Sequence, residues 1–451
     1  MPEGATGRLS PLRRNRRFAL LFWATAGSAV GTYLAALALS VDIYDRTGSG
    51  RWLAVLLIAD FLPIIVIGIT LGPLVDRLSR RRLMITSDLV RAATFVALPF
   101  VDEPALIVAL AAVNGVATGF FRPAVWAGMP NLVTDDEREQ ATSLLSTVEH
   151  VAWTVGPATA GLLLAGWGPS TAYWANAVTF VLSAALLARI PAAAFRSDEP
   201  ITRGHWADLR EGYGLLFSSR HLVTVLVVWG SAGVATAFVN VAEVVLAKKD
   251  LEAGNAGLGF LVSATGVGLL IGSFFAATAL ARLGIGRVYG IALLIMGIGF
   301  GLASRSPTIA VAAVLAGFGT IGNGAAIVYN QVLVQRGAPD AMRGRALAVL
   351  MSSYYAILGL SMAGGGLIVD AYGARTAWGL AGCIYLGAAA IAFVLTRRIP
   401  EVGVAAQATA EPVGLDRIRS LMAEIDDTRV REREARERNV SAPHDAGERS
   451  G

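Results

Sequence analysis

The 451-residue chain is short of charge. Asp, Glu, Lys and Arg make up 16 % of it, against roughly 25 % in an average soluble domain. That is too little to cover a soluble surface of this size, which excludes a water-soluble globular enzyme. Hydrophobic residues make up 55 %, which excludes disorder for most of the chain. A single cysteine, Cys383, excludes a disulfide framework and any cysteine-based metal or redox centre. Four histidines, His150, His205, His221 and His444, lie scattered without metal-ligand spacing. No G-x-x-x-x-G-K-[ST] run occurs, so a nucleotide-driven engine is absent. No cofactor, metal, nucleotide or nucleic-acid partner is expected, because the Arg excess sits in loops between apolar runs rather than on one basic face.

Long apolar segments are what the chain does have. A membrane helix needs about 20 mostly apolar residues. Twelve such segments run over roughly 18–40, 52–75, 83–101, 105–126, 141–165, 170–190, 222–246, 256–281, 287–304, 308–330, 345–369 and 375–396. Interior Gly and Pro, such as Pro63, Gly68 and Gly364 to Gly366, do not veto them, since membrane helices tolerate both. With the N-terminus inside, the inner loops carry twenty-two Arg before the tail, and the outer loops carry six Lys and Arg. Basic residues mark the cytoplasmic side. The expectation is an all-α protein with twelve transmembrane helices and both termini cytoplasmic, multi-pass in the plasma (inner) membrane, with the lipid bilayer as one partner. The basic N-terminus leads into a span too long for a cleavable signal, without a small-residue cleavage site.

A repeat organises these spans. Arg77 and Leu78 recur as Arg282 and Leu283; Asp135, Arg138 and Ala141 as Asp340, Arg343 and Ala346; Gly161, Gly168 and Thr171 as Gly366, Gly373 and Thr376. Every pair is offset by 205. Six spans return the chain to its starting side, so the copies share one orientation, as two six-helix bundles related by an axis along the membrane normal. The expected domains are 1–190, an amphipathic cytoplasmic connector 191–221, 222–398, and a charged tail 399–451 that is disordered or a surface helix.

Where span 2 meets the cytoplasm stands Gly72-Pro-Leu74-Val-Asp76-Arg77-Leu-Ser79-Arg80-Arg81. Gly72 permits close helix approach, and Asp76 suits a helix N-terminus. Arg122, a turn from the inner end of span 4, is a candidate ion partner for Asp76. Arg80, Arg81 and Arg82 read equally as positive-inside anchors. Span 5 carries Gly156-Pro157-Ala-Thr-Ala160-Gly161, where Pro157 removes a backbone bond and the small residues allow tight helix contact.

The first stretch resembles the G-x-L-x-D-R-x-G-R-[RK] signature of the major facilitator superfamily, with Ser79 in place of the second Gly. The second resembles the G-P-x-x-G-G element of its exporters, with Ala160 for one Gly. Further pieces are Thr47-Gly48-Ser49, Asp88 with Arg91, Phe121-Arg122-Pro123-Ala124, Pro130, Asn176 to Phe180, Glu211-Gly212, Pro339-Asp340 and Arg343-Gly344-Arg345. Their order over 12–398 is similar to the enterobactin-exporter and macrolide-efflux branch. That branch exports siderophores, macrolides and other amphipathic compounds, typically by proton antiport. The resemblance implies a cytoplasmic gate at Gly72, Asp76, Arg77, Arg81, Arg122 and Arg343, and a span-5 hinge at Gly156, Pro157 and Gly161. Thr32 stands where relatives carry an acid, so no coupling role passes to that position.

Ionisable groups within spans are costly and are functional candidates. Asp60, Glu149, Asp88, Arg91 and Glu243 are the proton-coupling candidates. Asp88 and Arg91, at i and i+3, also read as a structural pair. Asp42 and Asp370, at outer helix ends, are expected to be interfacial and solvated. Trp126, Tyr173 and Trp174 fit an interface belt. Trp153, Trp229, Asn330, Tyr354 and Tyr355 are the cavity candidates. The expected function is export of a hydrophobic or amphipathic small molecule, drug or siderophore-like, by proton antiport in a monomer. Nutrient uptake on the same fold and a non-transporting receptor or scaffold are the alternatives.

Overall fold

Asn15 opens the first long helix. Its Oδ1 accepts hydrogen bonds from the N–H groups of Arg17 and Phe18, each at 3.1 Å, satisfying two donors that a helix start leaves unpaired. From there a computed structural model describes residues 10–70, 78–195, 205–339 and 342–397; inside some helices, at His150 and Trp153 among others, only the backbone is described. Gly72, Asp76, Arg77 and the tail lie outside the described residues.

Among the described residues there is no strand, and twelve helices reach 18 residues or more. They are α1 (Arg16–Thr47), α2 (Gly50–Thr70), α3 (Arg80–Ala97), α4 (Pro104–Gly128), α5 (Asp135–Trp167), α6 (Pro169–Ala188), α7 (Arg220–Val245), α8 (Gly254–Leu283), α9 (Ile285–Ala303), α10 (Ile309–Gly337), α11 (Arg343–Tyr372) and α12 (Ala374–Thr396). A connector helix, His205–Ser218, precedes α7. Eleven of the long helices are long and apolar enough to cross a membrane. The exception is α5, whose 33 residues begin with Asp135, Asp136 and Glu137 and whose apolar stretch, Val155–Trp167, is shorter. Among the described residues each apolar segment read from the sequence falls on one of these helices, the end of 52–75 lying outside them, and several helices overrun the apolar runs. α1 continues to Thr47 and α10 to Gly337, because polar residues at span ends keep helical geometry where water or headgroups can solvate them.

Helix packing repeats the sequence repeat. In the first half α1 packs on α5 and α6, α2 on α4, and α3 on α4 and α6. Adding six to every label gives the second half: α7 on α11 and α12, α8 on α10, and α9 on α10 and α12. The halves meet through α2 with α11 and α5 with α8. Gly168 and Gly373 join equivalent helix pairs with φ of 76° and 84°, a backbone region that favours glycine. Gly284 has φ 75°, whereas Ser79, its partner in the repeat, has φ −64°. A serine there is therefore unstrained.

Successive helices alternate between a terminal end, where Ser10 and Arg397 lie, and a far end. The inter-half contacts at the far end obey the 205-residue offset one by one. A Cβ on Gly161 would stand 2.5 Å from the Cα of Gly259, and one on Gly366 would stand 2.8 Å from the Cβ of Ala54. Asn255 Nδ2 donates to the carbonyl of Leu164 at 3.2 Å, and Gly50 presses on Val369 in the related place. Small residues let these helix backbones touch. Polar contacts join the halves at the same end. Asp370 accepts from Ser49 Oγ at 2.9 Å and from the Gly50 N–H at 2.5 Å, and Lys248 pairs with Asp45.

Candidate functional site

Three groupings of polar side chains lie within the helices. The first is Arg122 of α4 with Glu149 of α5. Arg122 Nη2 donates to both carboxylate oxygens, at 3.1 and 3.0 Å. Tyr33 of α1 and Tyr355 of α11 stand within electrostatic reach of Arg122, so the pair is at the meeting place of the two halves. The Arg122 and Glu149 side chains nevertheless keep 43 % and 31 % of their surface open. The sequence assigned Arg122 to Asp76; its described carboxylate is Glu149.

The second grouping is in the second half. Trp229 of α7 stacks on Tyr354 of α11 with ring centroids 4.7 Å apart, and Tyr354 meets Tyr355 edge-on at 5.5 Å. Trp229, Thr236, Tyr289, Asn323, Asn330 and Tyr354 line a small cavity of about 10 Å³, room for about one water. Tyr289 donates to Asn330 Oδ1 at 2.5 Å. Of the cavity candidates, Trp229, Asn330 and Tyr354 share this recess, Tyr355 lies toward Tyr33 and Arg122, and the side chain of Trp153 lies outside the described residues. Positions 229, 236, 240 and 243 share one helical face, which sets Glu243 in line with Asn240, Thr236 and Trp229.

The third grouping fills the first half. Asp88 and Arg91 of α3 form a buried ion pair, with Arg91 at 2 % and Asp88 at 0 % exposure. The guanidinium lies over the rings of Phe121 and Phe180, 4.2 Å from each centroid. Asp60 of α2 accepts from Asn114 Nδ2 of α4 at 2.8 Å. The close approach of α2 and α4 depends on Gly115, whose Cβ would lie 2.2 Å from the Asp60 carbonyl oxygen.

The other gate residues are spread out. Arg81 donates to the carbonyl of Ala188 at 2.6 Å and ties the start of α3 to the end of α6. Arg343 donates to the Gln335 carbonyl at 3.1 Å across the α10–α11 turn. The span-5 residues face two neighbours: Gly156 abuts Tyr33 and Leu34 of α1, Gly161 abuts Gly259 of α8, and α5 runs unbroken through Pro157.

Two expectations need correction. Asp42 is not solvated: it is 5 % exposed, accepts from Tyr173 OH at 2.9 Å and pairs with Arg46 at 2.8 Å. Tyr173 is therefore a core residue, 1 % exposed, and not part of an interface belt. Asp370 is exposed, as its position at a helix end led one to expect, and it also caps the start of α2 from the other half. For Asp42 and Tyr173 a tertiary partner replaces the water that the position along the chain suggested. Sequence reasoning missed Tyr33, Asn114, Tyr289 and Asn323. An Asn within an apolar run, as at 114 and 323, was the available signal.

Comparison with known proteins gives these features a family. The model of the transmembrane secretion effector family matches residues 6–424. The chain is 26 % identical over 390 residues to the uncharacterized MFS-type transporter YfiS of Bacillus subtilis, covering 83 % of this chain and 92 % of that one. It is 26 % identical over 362 residues to the multidrug efflux pump Tap of Mycolicibacterium fortuitum, covering 76 % and 88 %. Macrolide efflux protein A of Streptococcus pyogenes is 28 % identical over 214 residues, 45 % of this chain and 52 % of that protein. Among solved structures, a bacterial homologue of the human lysosomal transporter Spinster, in an inward-facing and unoccupied conformation, shares the fold with TM-score 0.69 at 13 % identity over 85 % of this chain and 98 % of that one. The chain is a multi-pass membrane transporter and not an enzyme, and it belongs to the transmembrane secretion effector family of the major facilitator superfamily, alongside macrolide-efflux-like members.

Proposed function

We propose that the chain crosses the plasma (inner) membrane twelve times with both termini in the cytoplasm. It exports a hydrophobic or amphipathic small molecule, drug or siderophore-like, by proton antiport, and it works as a monomer. The observation that carries this reading is the 205-residue symmetry of the far-end contacts between α2 and α11 and between α5 and α8. Two equivalent halves that touch through small residues can rock about that line and expose the space between them to each side in turn. The terminal end is cytoplasmic because the basic residues gather there. The far end is then the outer gate, which suits a pump that collects its cargo from the cytoplasm. Tap and macrolide efflux protein A are efflux proteins by name, which supports the outward direction.

Within that scheme Gly72, Asp76, Arg77, Arg81 and Arg343 serve the inner gate, and Gly156, Pro157 and Gly161 let α5 bend against α1 and α8. Trp229, Tyr354 and Tyr355 offer aromatic surface to the cargo. Arg122 and Glu149 face the same space and neutralise one another there. The coupling proton is carried by one of the membrane carboxylates Asp60, Asp88, Glu149 or Glu243.

Everted membrane vesicles test the proposal, with a radiolabelled macrolide and a fluorescent lipophilic cation as probes. Accumulation that requires an acid interior supports antiport export. Accumulation only in right-side-out vesicles points to uptake, and none under any ion gradient removes the transport reading.

A further inference from the structure

The first half encloses a polar cluster far more elaborate than packing requires. Asp88, Arg91, Asn114, Thr118, Asn176 and Ser183 are all at least nine-tenths buried, and they come from α3, α4 and α6. Within this set, Ser183 bonds to Asp88, while Arg91 Nε, Asn114 Oδ1, Thr118 Oγ1 and Asn176 Nδ2 have no protein hydrogen-bond partner. Buried polar atoms are almost always paired, and the open ones of Asn114, which bonds Asp60, and of Thr118, one turn further along α4, suit a small polar occupant. The charge count points the same way. Asp60 and Asp88 bring two carboxylates, and Arg91 brings one guanidinium that is bonded to Asp88 and lies over the rings of Phe121 and Phe180. Arg91 is the charged group that acts on Asp60; α4 presents Asn114 and the Gly115 backbone to it, and α1, α7 and α11, which also touch α2, bring no charged side chain within range among the described residues. Asp60 is therefore the surplus carboxylate, and one proton makes the cluster neutral.

We propose that this cluster is the proton-binding site of the protein, with Asp60 as the carboxylate that takes up and releases the proton and with Asn114 and the Asp88–Arg91 pair holding it. The step is simple in balance: the Asp60 carboxylate accepts a proton from hydronium and leaves water, and the reverse transfer discharges it. The open polar atoms of Asn114 and Thr118 carry the water through which that proton moves. Coupling then runs inside the first half, behind the cleft. The Arg122–Glu149 pair serves the cargo surface. Asp60 stands on α2, one of the helices through which the halves touch.

The inference rests on the antiport reading for its purpose, but its test does not need a substrate. The full chain in proteoliposomes is taken through a pH series by infrared difference spectroscopy, with the proton itself as the probe. A protonated-carboxyl band that titrates in the wild type is expected to vanish in Asp60→Asn, to persist in Glu149→Gln and Glu243→Gln, and to move to higher wavenumber in Asn114→Leu, which leaves the acid but removes its donor. A band that survives in Asp60→Asn, or that stays unmoved in Asn114→Leu, overturns the proposal. So does a band lost in Glu149→Gln. Should Asp60→Asn not fold, Asn114→Leu decides alone. If the band behaves as expected while wild-type flux ignores the proton gradient, the antiport reading falls and the site stands. If flux is proton-driven and the band is indifferent to Asp60, only the site falls.

Discussion

Asp370→Ala offers the sharpest test of how the far end closes. In the wild type this carboxylate accepts from the Gly50 N–H at 2.5 Å and from Ser49 Oγ at 2.9 Å, with a longer contact to the Arg51 N–H at 3.3 Å. The Arg51 guanidinium lies 3.3 Å away with its side chain 65 % exposed, so that ion pair adds only about 0–1 kcal/mol. The two short bonds involve a charged acceptor at a helix start, and each such bond contributes about 1.5–3 kcal/mol before solvent competition. Asp370 keeps 21 % of its side chain open, so a net loss of about 2–4 kcal/mol for the closed far end is a fair magnitude. At ~1.4 kcal/mol per tenfold change, the open-to-closed ratio rises roughly 30- to 1,000-fold. The assay is pulsed electron spin resonance between labels at Glu103 and Arg305, exposed positions on the far-end turns of the two halves, in a Cys383→Ser background. Asp370→Ala should move the distance distribution toward a longer component, and Asp370→Asn should move it less. An unchanged distribution in Asp370→Ala refutes the assignment of this contact as the element that holds the far end shut.

Three further outcomes follow from the same geometry. Gly161→Leu places a side chain where even a Cβ would be 2.5 Å from the Gly259 Cα; it should open the far end in the same resonance measurement, with overpacking of about 1–3 kcal/mol, and a wild-type distribution would discount the α5–α8 contact. Tyr173→Phe removes the buried bond to Asp42 and should destabilise the protein by about 1–3 kcal/mol, read as a lower thermal midpoint in detergent with transport otherwise retained; an unchanged midpoint would mean the bond adds nothing net. Glu149→Gln leaves Arg122 without its counter-charge in the space between the halves. It should weaken transport of a lipophilic cation more than that of a neutral compound of similar size, and equal losses would remove the pair from the cargo surface.

The spans were legible because hydropathy and length act locally: an apolar run of about 20 residues has one low-energy form in lipid, and it satisfies its own backbone. The repeat was legible too, and Gly161 and Gly366, matched by sequence offset alone, turned out to mark symmetry-related contacts. Polar residues read less well. Asp42 and Asp370 both sit at helix ends, yet Asp42 is buried against Tyr173, and Asp370, though exposed, also reaches the start of α2. The Asp88–Arg91 pair was readable from its i, i+3 spacing, while the bond from Asn114 to Asp60 spans 54 positions and has no local trace.

The sequence by itself therefore determined the solvent, the helices and the repeat. These are one-dimensional properties of composition and period. Tertiary structure decided which carboxylate meets which partner: Glu149 with Arg122, Asp88 with Arg91, Asp370 with the other half. The reason is that the rotation of each helix about its own axis is set by the close fit of small residues such as Gly115 and Gly161 against their neighbours, and that rotation selects the face on which every charge is presented.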